Sequence, residues 1–163
     1  MLETSTLNGA ADLLALMQAR GLTLATAESC TGGLIAAAVT SVAGSSATLL
    51  AGFVTYSNAA KTRMLGVPEA MLAEHGAVSE PVARAMAEGA VREADADLAV
   101  SCTGIAGPGG GSEQKPVGLV FIGLARRGGA TRVERHAFPG DRTAVRAATV
   151  DAAFALVRRG MSE

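Results

Sequence analysis

The sequence predicts one α/β layered domain with a mixed β-sheet, and three observations predict it. Helical and strand-like apolar patterns alternate through the first two thirds of the chain. Two strand-like segments then flank Arg126-Arg127-Gly128-Gly129, the pattern of an antiparallel hairpin in an otherwise alternating fold. The 163 residues are 49% apolar, sufficient for a full core, and no linker or low-complexity segment divides them. The expected domain is therefore residues 1–163.

Each element has a local reason. Residues 7–20 set Leu13, Leu14 and Met17 on one side of a helix, with Gly21 as its C-terminal cap. Residues 22–27 read as a short buried strand. A helix over about 31–43 carries Leu34, Ile35, Ala38 and Val39 and ends near Gly44. Residues 48–56 read as a strand. Ser57 and Asn58 are cap-type residues, and a short helix from Ala59 to Leu65 stops at Gly66-Val67-Pro68. Residues 69–74 suit another short helix. Ser79 is expected to cap the next one, with Pro81 in its first turn, where a missing N–H does no harm. Val82, Met86 and Ala90 then recur at helical spacing. Residues 97–102 form a buried strand that runs into the glycine-rich loop Gly104 to Gly111. Residues 117–125 and 131–138 are the hairpin strands. Asp141 is expected to cap a last helix over roughly 142–159.

Composition excludes several function classes. The net charge of −1 gives no electrostatic basis for binding nucleic acid. No apolar run reaches the roughly 18 residues that span a bilayer. The first residues lack the basic start and apolar centre of a signal peptide, so a cytoplasmic, soluble protein is expected. Cys30 and Cys102 are the only cysteines, and in a reducing compartment two buried thiols are the default. There is no C-x-x-C, and His75 and His136 stand apart, so no metal site is expected. Of fourteen basic residues, only Lys61 and Lys115 are lysine. Only lysine among the two cation types readily loses its proton and acts as a base.

Thr26-Ala-Glu-Ser-Cys-Thr-Gly-Gly33 lies where strand periodicity gives way to helical periodicity. A serine there stands at the lip of a sheet, with its hydroxyl beside the free N–H groups of a starting helix. Such a serine serves as a nucleophile or as a helix cap. Ser29-Cys-Thr-Gly32 has an echo in Ser101-Cys-Thr-Gly104, and both follow apolar strands. Ligands in open α/β sheets gather outside the carboxyl ends of strands, so two such turns would wall one crevice. The loop at 104–111 fits neither a phosphate-loop nor a Rossmann fingerprint. It is either a close-approach backbone for a ligand or a structural turn. Ser112-Glu-Gln-Lys115 matches Ser-x-x-Lys, but motif order and chain length reject the penicillin-enzyme class. Arg142 and Arg146 are four apart at a helix start, suited to a phosphate or simply solvated. Tyr56 ends a strand and Lys61 lies on the helix after it, so both can point into the same crevice.

Seven stretches together resemble the CinA C-terminal domain family, the nicotinamide-nucleotide amidohydrolases of the PncC type. They are Thr-Ala-Glu-Ser-Cys-Thr-Gly-Gly (26–33), Gly-Phe-Val-Thr-Tyr-Ser-Asn-Ala-Ala-Lys (52–61), Leu-Gly-Val (65–67), Gly-Ala-Val-Ser-Glu (76–80), Thr-Gly-Ile-Ala-Gly-Pro-Gly-Gly-Gly (103–111), Lys-Pro-Val-Gly (115–118) and Phe-Pro-Gly-Asp-Arg (138–142). The resemblance implies a three-layer α/β/α sandwich, commonly a homodimer, in the stand-alone form of the family. It implies hydrolysis of the carboxamide of nicotinamide mononucleotide to nicotinic acid mononucleotide and ammonia, without metal or cofactor. It places the nucleophile at Ser29, assisted by Tyr56 and Lys61. The expected oxyanion and substrate-binding set is Cys30, Thr31, Gly32, Thr103, Gly104 and Gly107, and helix geometry rather than the resemblance puts Arg142 and Arg146 on the phosphate. The competing readings are a non-catalytic nucleotide-binding module, a competence-related protein-interaction module, or an amidohydrolase of a different small amide.

Overall fold

The computed structural model describes residues 2–162. Its elements run α1 (Thr4–Ala19), β1 (Leu24–Glu28), α2 (Leu34–Thr40), β2 (Leu49–Val54), α3 (Asn58–Leu65), α4 (Glu69–His75), α5 (Glu80–Ala94), β3 (Leu98–Gly104), β4 (Leu119–Arg126), β5 (Arg132–Ala137) and α6 (Arg142–Met161). The five strands form one mixed sheet in the order β2-β1-β3-β4-β5. Strands β2 and β3 flank β1 in parallel, and β4 and β5 are added antiparallel. One apolar cluster packs α1, α2 and α6 on one face, and a second packs α3, α4 and α5 on the other. The three-layer α/β/α sandwich is as expected.

The two faces differ in side-chain size, and strand alternation explains how. Leu24, Leu98, Val100, Val120, Ile122 and Leu124 point into the α1/α2/α6 layer. Ala25, Ala27 and Ala99 point into the other layer. There the Ser101 hydroxyl donates to the Ala83 carbonyl of α5 at 2.6 Å. Helix α5 therefore lies close against the sheet. A Cβ added at Gly123 would stand 2.8 Å from the Ala83 carbonyl oxygen and 2.6 Å from Ser101 Oγ. Gly123→Ala is expected to lower stability by about 1–3 kcal/mol through overpacking. Urea unfolding measures it, and an unchanged midpoint would contradict the close approach.

Several boundaries differ from the sequence reading for local reasons. Helix α2 begins at Leu34 rather than near 31, because Gly32 and Gly33 adopt left-handed φ values of 58° and 102° and hold a turn open. Strand β3 runs on through Gly104. Ser79 occupies the N-cap position of α5, yet its hydroxyl donates back to the Gly76 carbonyl at 2.8 Å instead of capping the helix. Ser57 and Asp141 do cap α3 and α6, accepting from the N–H groups of Ala60 and Ala144 at 3.1 and 2.9 Å.

Chain direction places the crevice. From β1 the chain passes through α2 on one face to β2. From β2 it returns through α3, α4 and α5 on the other face to β3. The carboxyl ends of β1 and β3 thus lie side by side where the chain leaves the sheet in opposite directions, the usual place for a ligand crevice.

Candidate active site

The turn after β1 and the loop after β3 wall a cleft of about 280 Å³, to which Ser29, Cys30, Tyr56, Lys61, Thr103, Gly104, Gly107 and Arg142 all contribute. The two echoing turns do face one another. A larger cavity of about 490 Å³ lies beneath the β4–β5 turn, around Arg126 to Arg132, and none of the expected catalytic residues lines it.

Lys61 reaches the cleft floor from the first turns of α3, and only 1% of it is exposed. Its Nζ lies 2.9 Å from Ser29 Oγ, 2.7 Å from the Thr55 carbonyl oxygen and 3.3 Å from the Tyr56 carbonyl oxygen. Two of its three polar directions are thus fixed as donors by carbonyls. The third faces Ser29. It is an N–H when the amine is charged and a lone pair when it is neutral. Burial lowers the Lys61 pKa from the usual 10.5, and any negative charge on the adjacent Cys30 or Cys102 sulfur acts the other way with the smaller effect. Ser29 itself is 9% exposed and opens onto the cleft.

Tyr56 meets Lys61 through its backbone alone. The residue is 61% exposed, at the cleft rim, where the phenol accepts a hydrogen bond from the Arg142 guanidinium at 3.1 Å. A second Arg142 nitrogen donates to the Gly107 carbonyl at 2.9 Å. No relay through the Tyr56 hydroxyl joins Lys61 to Ser29.

Arg142 and Arg146 do not act as a pair. Arg142 lines the cleft, whereas Arg146 folds back beneath the Ser29 turn and donates to the Thr31 carbonyl at 3.0 Å. Shared helix face sets where the two Cα atoms project, but a long side chain goes to the nearest carbonyl in need of a donor.

Thr31 lies behind the cleft wall rather than in it, and Gly32 is exposed outside the cleft. Thr31 is fully buried, and its hydroxyl meets Glu28 Oε1 at 2.7 Å and Cys102 Sγ at 3.0 Å. The Gly32 N–H closes the turn onto the Ser29 carbonyl at 3.1 Å. Cys30, Thr103, Gly104 and Gly107 do line the cleft. The Thr103 hydroxyl donates to the Ala77 carbonyl at 2.8 Å, which ties the β3 end to the segment before α5. Cys30 and Cys102 are free, buried thiols. A hydrogen bond from Cys102 draws the Cys30 pKa down, and the same bond together with burial pushes Cys102 well up, so Cys102 stays neutral.

The helix start expected beside the Ser29 hydroxyl is already taken. Glu28, fully buried, accepts from the N–H groups of Ile35 and Ala36 at 2.8 and 3.0 Å. Those are the leading donors of α2, so they are not free for an oxyanion. The sequence carried a signal for this. The signal is partial: Gly32 and Gly33 offer no capping side chain, so the free N–H groups of the helix start had to find partners elsewhere, and the acidic residue nearest in the motif is Glu28. Among the described residues, no group of three or more His, Cys, Asp or Glu side chains is disposed to hold a metal ion. Nor is any helix long and apolar enough to cross a membrane.

The model of the CinA C-terminal domain matches residues 7–161. A CinA-like protein of Citrifermentans bemidjiense is 60% identical over 147 residues, covering 90% of this chain but 35% of that protein. The chain thus spans about a third of the length of such longer relatives. The nicotinamide-nucleotide amidohydrolase PncC of Escherichia coli K12 is 58% identical over 130 residues, covering 80% of this chain and 79% of that protein. The crystal structure of the competence/damage inducible protein CihA from Agrobacterium tumefaciens superposes with a TM-score of 0.95 at 44% identity, covering 98% of this chain and 97% of the other. A buried Ser–Lys pair between two strand-end turns, a three-layer mixed sheet and a match over nearly the whole length lead to one assignment: the chain belongs to the CinA C-terminal domain family.

Proposed function

We propose that this chain is a nicotinamide mononucleotide deamidase acting through a Ser29–Lys61 pair, with the domain 1–163 as its catalytic unit. One observation carries the reading: Lys61 Nζ is buried 2.9 Å from Ser29 Oγ on the floor of an open cleft. Burial lowers the Lys61 pKa and so favours the neutral amine that a general base for a serine hydroxyl needs. The kinship with PncC supports the substrate.

In this scheme neutral Lys61 accepts the Ser29 proton as Oγ attacks the carboxamide carbon. The tetrahedral oxyanion forms at the cleft wall. The Ser29 N–H donates to the Cys102 carbonyl of β3, and those of Gly32 and Leu34 close the turn, which leaves the N–H groups of Cys30, Thr31 and Gly33 outside these backbone bonds. The Cys30 N–H, next in chain to the nucleophile and on the cleft, is the first oxyanion donor. Lys61 then returns its proton to the departing amine nitrogen, and ammonia leaves. Lys61 takes a proton from water as the water oxygen attacks the acyl-enzyme carbon, and it returns that proton to Ser29 Oγ as the ester C–O bond breaks. Nicotinic acid mononucleotide and free Ser29 result. No step calls on a metal. The substrate's cationic pyridinium, placed near Lys61, further favours the neutral amine.

Arg142 binds the phosphate at the cleft mouth. Among the described residues it forms no ion pair, and its two partners are neutral oxygens that a phosphate can replace. Tyr56 stands beside it and orients it. Arg142→Ala is expected to raise KM about 10- to 100-fold, the worth of one lost charged hydrogen bond, with kcat nearly unchanged. An unchanged KM would remove Arg142 from the phosphate site.

The test of the function is incubation of the purified protein with nicotinamide mononucleotide, following ammonia and nicotinic acid mononucleotide together. Both should appear in equal amounts. Absence of both from a folded protein would refute the substrate assignment.

A further inference from the structure

We propose that Glu28 is a positioning residue that clamps both ends of the nucleophile turn and so holds Ser29 against Lys61. The inference rests on the Ser29–Lys61 reading above.

Glu28 is joined covalently to Ser29 at the end of β1. Across the turn, its Oε1 accepts from the Thr31 hydroxyl at 2.7 Å and the Ile35 N–H at 2.8 Å. Its Oε2 accepts from the Ala36 N–H at 3.0 Å and the Thr26 hydroxyl at 3.2 Å. One side chain thus binds the strand before the turn, the middle of the turn and the first turn of α2. The turn between holds two left-handed glycines, and its helix has no side-chain cap of its own. Without Glu28, the segment would be held from outside at residues 29–31, by the Cys102 carbonyl on the Ser29 N–H, Cys102 Sγ on the Thr31 hydroxyl, Lys61 on the Ser29 hydroxyl and Arg146 on the Thr31 carbonyl, and none of these bonds reaches the N–H groups that open α2.

The chemistry of the cradle selects a carboxylate. Each oxygen faces a backbone N–H, which can only donate. An amide in the same place offers one acceptor oxygen, and its NH₂ would point at the other N–H. A neutral acid meets the same conflict on one side. The Ile35 bond is buried and the Ala36 bond part-buried; a buried N–H left unpaired carries its full desolvation cost and a part-buried one a share of it, so the helix start would move to recover a partner. Any shift of α2 relative to β1 passes directly into the Ser29 turn. At a nucleophile 2.9 Å from its base, a displacement of about 1 Å is enough to cost on the order of 100-fold in rate.

Glu28→Gln tests this with two readouts. The first is amide hydrogen exchange, which needs no substrate. Exchange in residues 29–36 should rise about tenfold or more, while β3 and α5 keep their protection, as in opening of one local unit. The second is steady-state kinetics on nicotinamide mononucleotide: kcat should fall about 100-fold with KM within about threefold of wild type, the mark of a displaced reacting group rather than lost binding. Thr31→Val keeps both backbone clamps and removes one hydroxyl. It should show the same pattern at about three- to tenfold in kcat, and it decides the matter if the Gln protein does not fold. Wild-type exchange in residues 29–36 would overturn the proposal. So would raised exchange spread equally over β3 and α5, because that marks a general loss of stability. Wild-type kcat in a loosened turn would overturn it too. If the wild type leaves nicotinamide mononucleotide unchanged, the functional reading fails. The exchange result still decides whether Glu28 clamps the turn.

Discussion

Ser29→Ala should release no measurable ammonia from nicotinamide mononucleotide, a loss of about four orders of magnitude or more. Removing a nucleophile from a working unit costs nearly as much as removing the unit, because the base then has nothing to activate. The fold should survive. The Ser29 side chain has Lys61 as its partner, and loss of one such bond costs about 1 kcal/mol. Circular dichroism and thermal unfolding would verify that the variant is folded. The same protein should still bind substrate, since Arg142 and the loop around Gly107 are untouched. Binding retained with chemistry lost separates a nucleophile from a merely structural serine at the same turn. A folded Ser29→Ala protein with wild-type turnover would end the covalent scheme.

Lys61 carries the second large effect, and its sign with pH follows from burial. The folded protein lowers the Lys61 pKa below 10.5. A base works in its neutral form, so kcat/KM should rise with pH through that lowered pKa and be lost as pH falls below it. Lys61→Arg keeps the positive charge and cannot deprotonate. It should lose about three orders of magnitude or more at every pH, with no ascending limb left to observe. Arginine is also larger, and Lys61 is 1% exposed, so Lys61→Met is the companion that fits the space. Met should be equally inactive, which assigns the loss to the missing base and not to crowding. A pH profile from either variant that keeps the wild-type limb would transfer the limb, and the base, to another group.

Much of this site was legible in residues. A chain with twelve arginines and two lysines had retained a lysine just after a strand end, and that lysine is the one beside Ser29. Tyr56 illustrates where such reading stops. Its proximity to Lys61 was correct, but the contact is made by its carbonyl oxygen, while its phenol turns outward to Arg142. Sequence position places a Cα; it says little about which polar atom of a residue meets its neighbour. Arg146 illustrates the same limit. Helical spacing correctly grouped it with Arg142, and its length let it reach the Thr31 carbonyl instead of the cleft. Glu28 sat in the quoted motif next to the nucleophile, yet its partners lie seven and eight residues on, across a turn whose path depends on two left-handed glycines.

The sequence by itself determined the order of elements, the layered fold and the two strand-end turns that face one crevice. These follow from apolar periodicity and turn residues, which act over a few neighbouring positions. Only the tertiary structure decided which donors at that crevice are free. The α2 N–H groups are occupied by Glu28, Thr31 is turned inward, Arg146 is spent on a carbonyl, and Lys61 is left with one direction open to Ser29. Hydrogen-bonding capacity is finite, and most buried donors go to the acceptor that packing brings nearest. That allocation is set by contacts between distant segments, so it becomes visible only once the chain is folded.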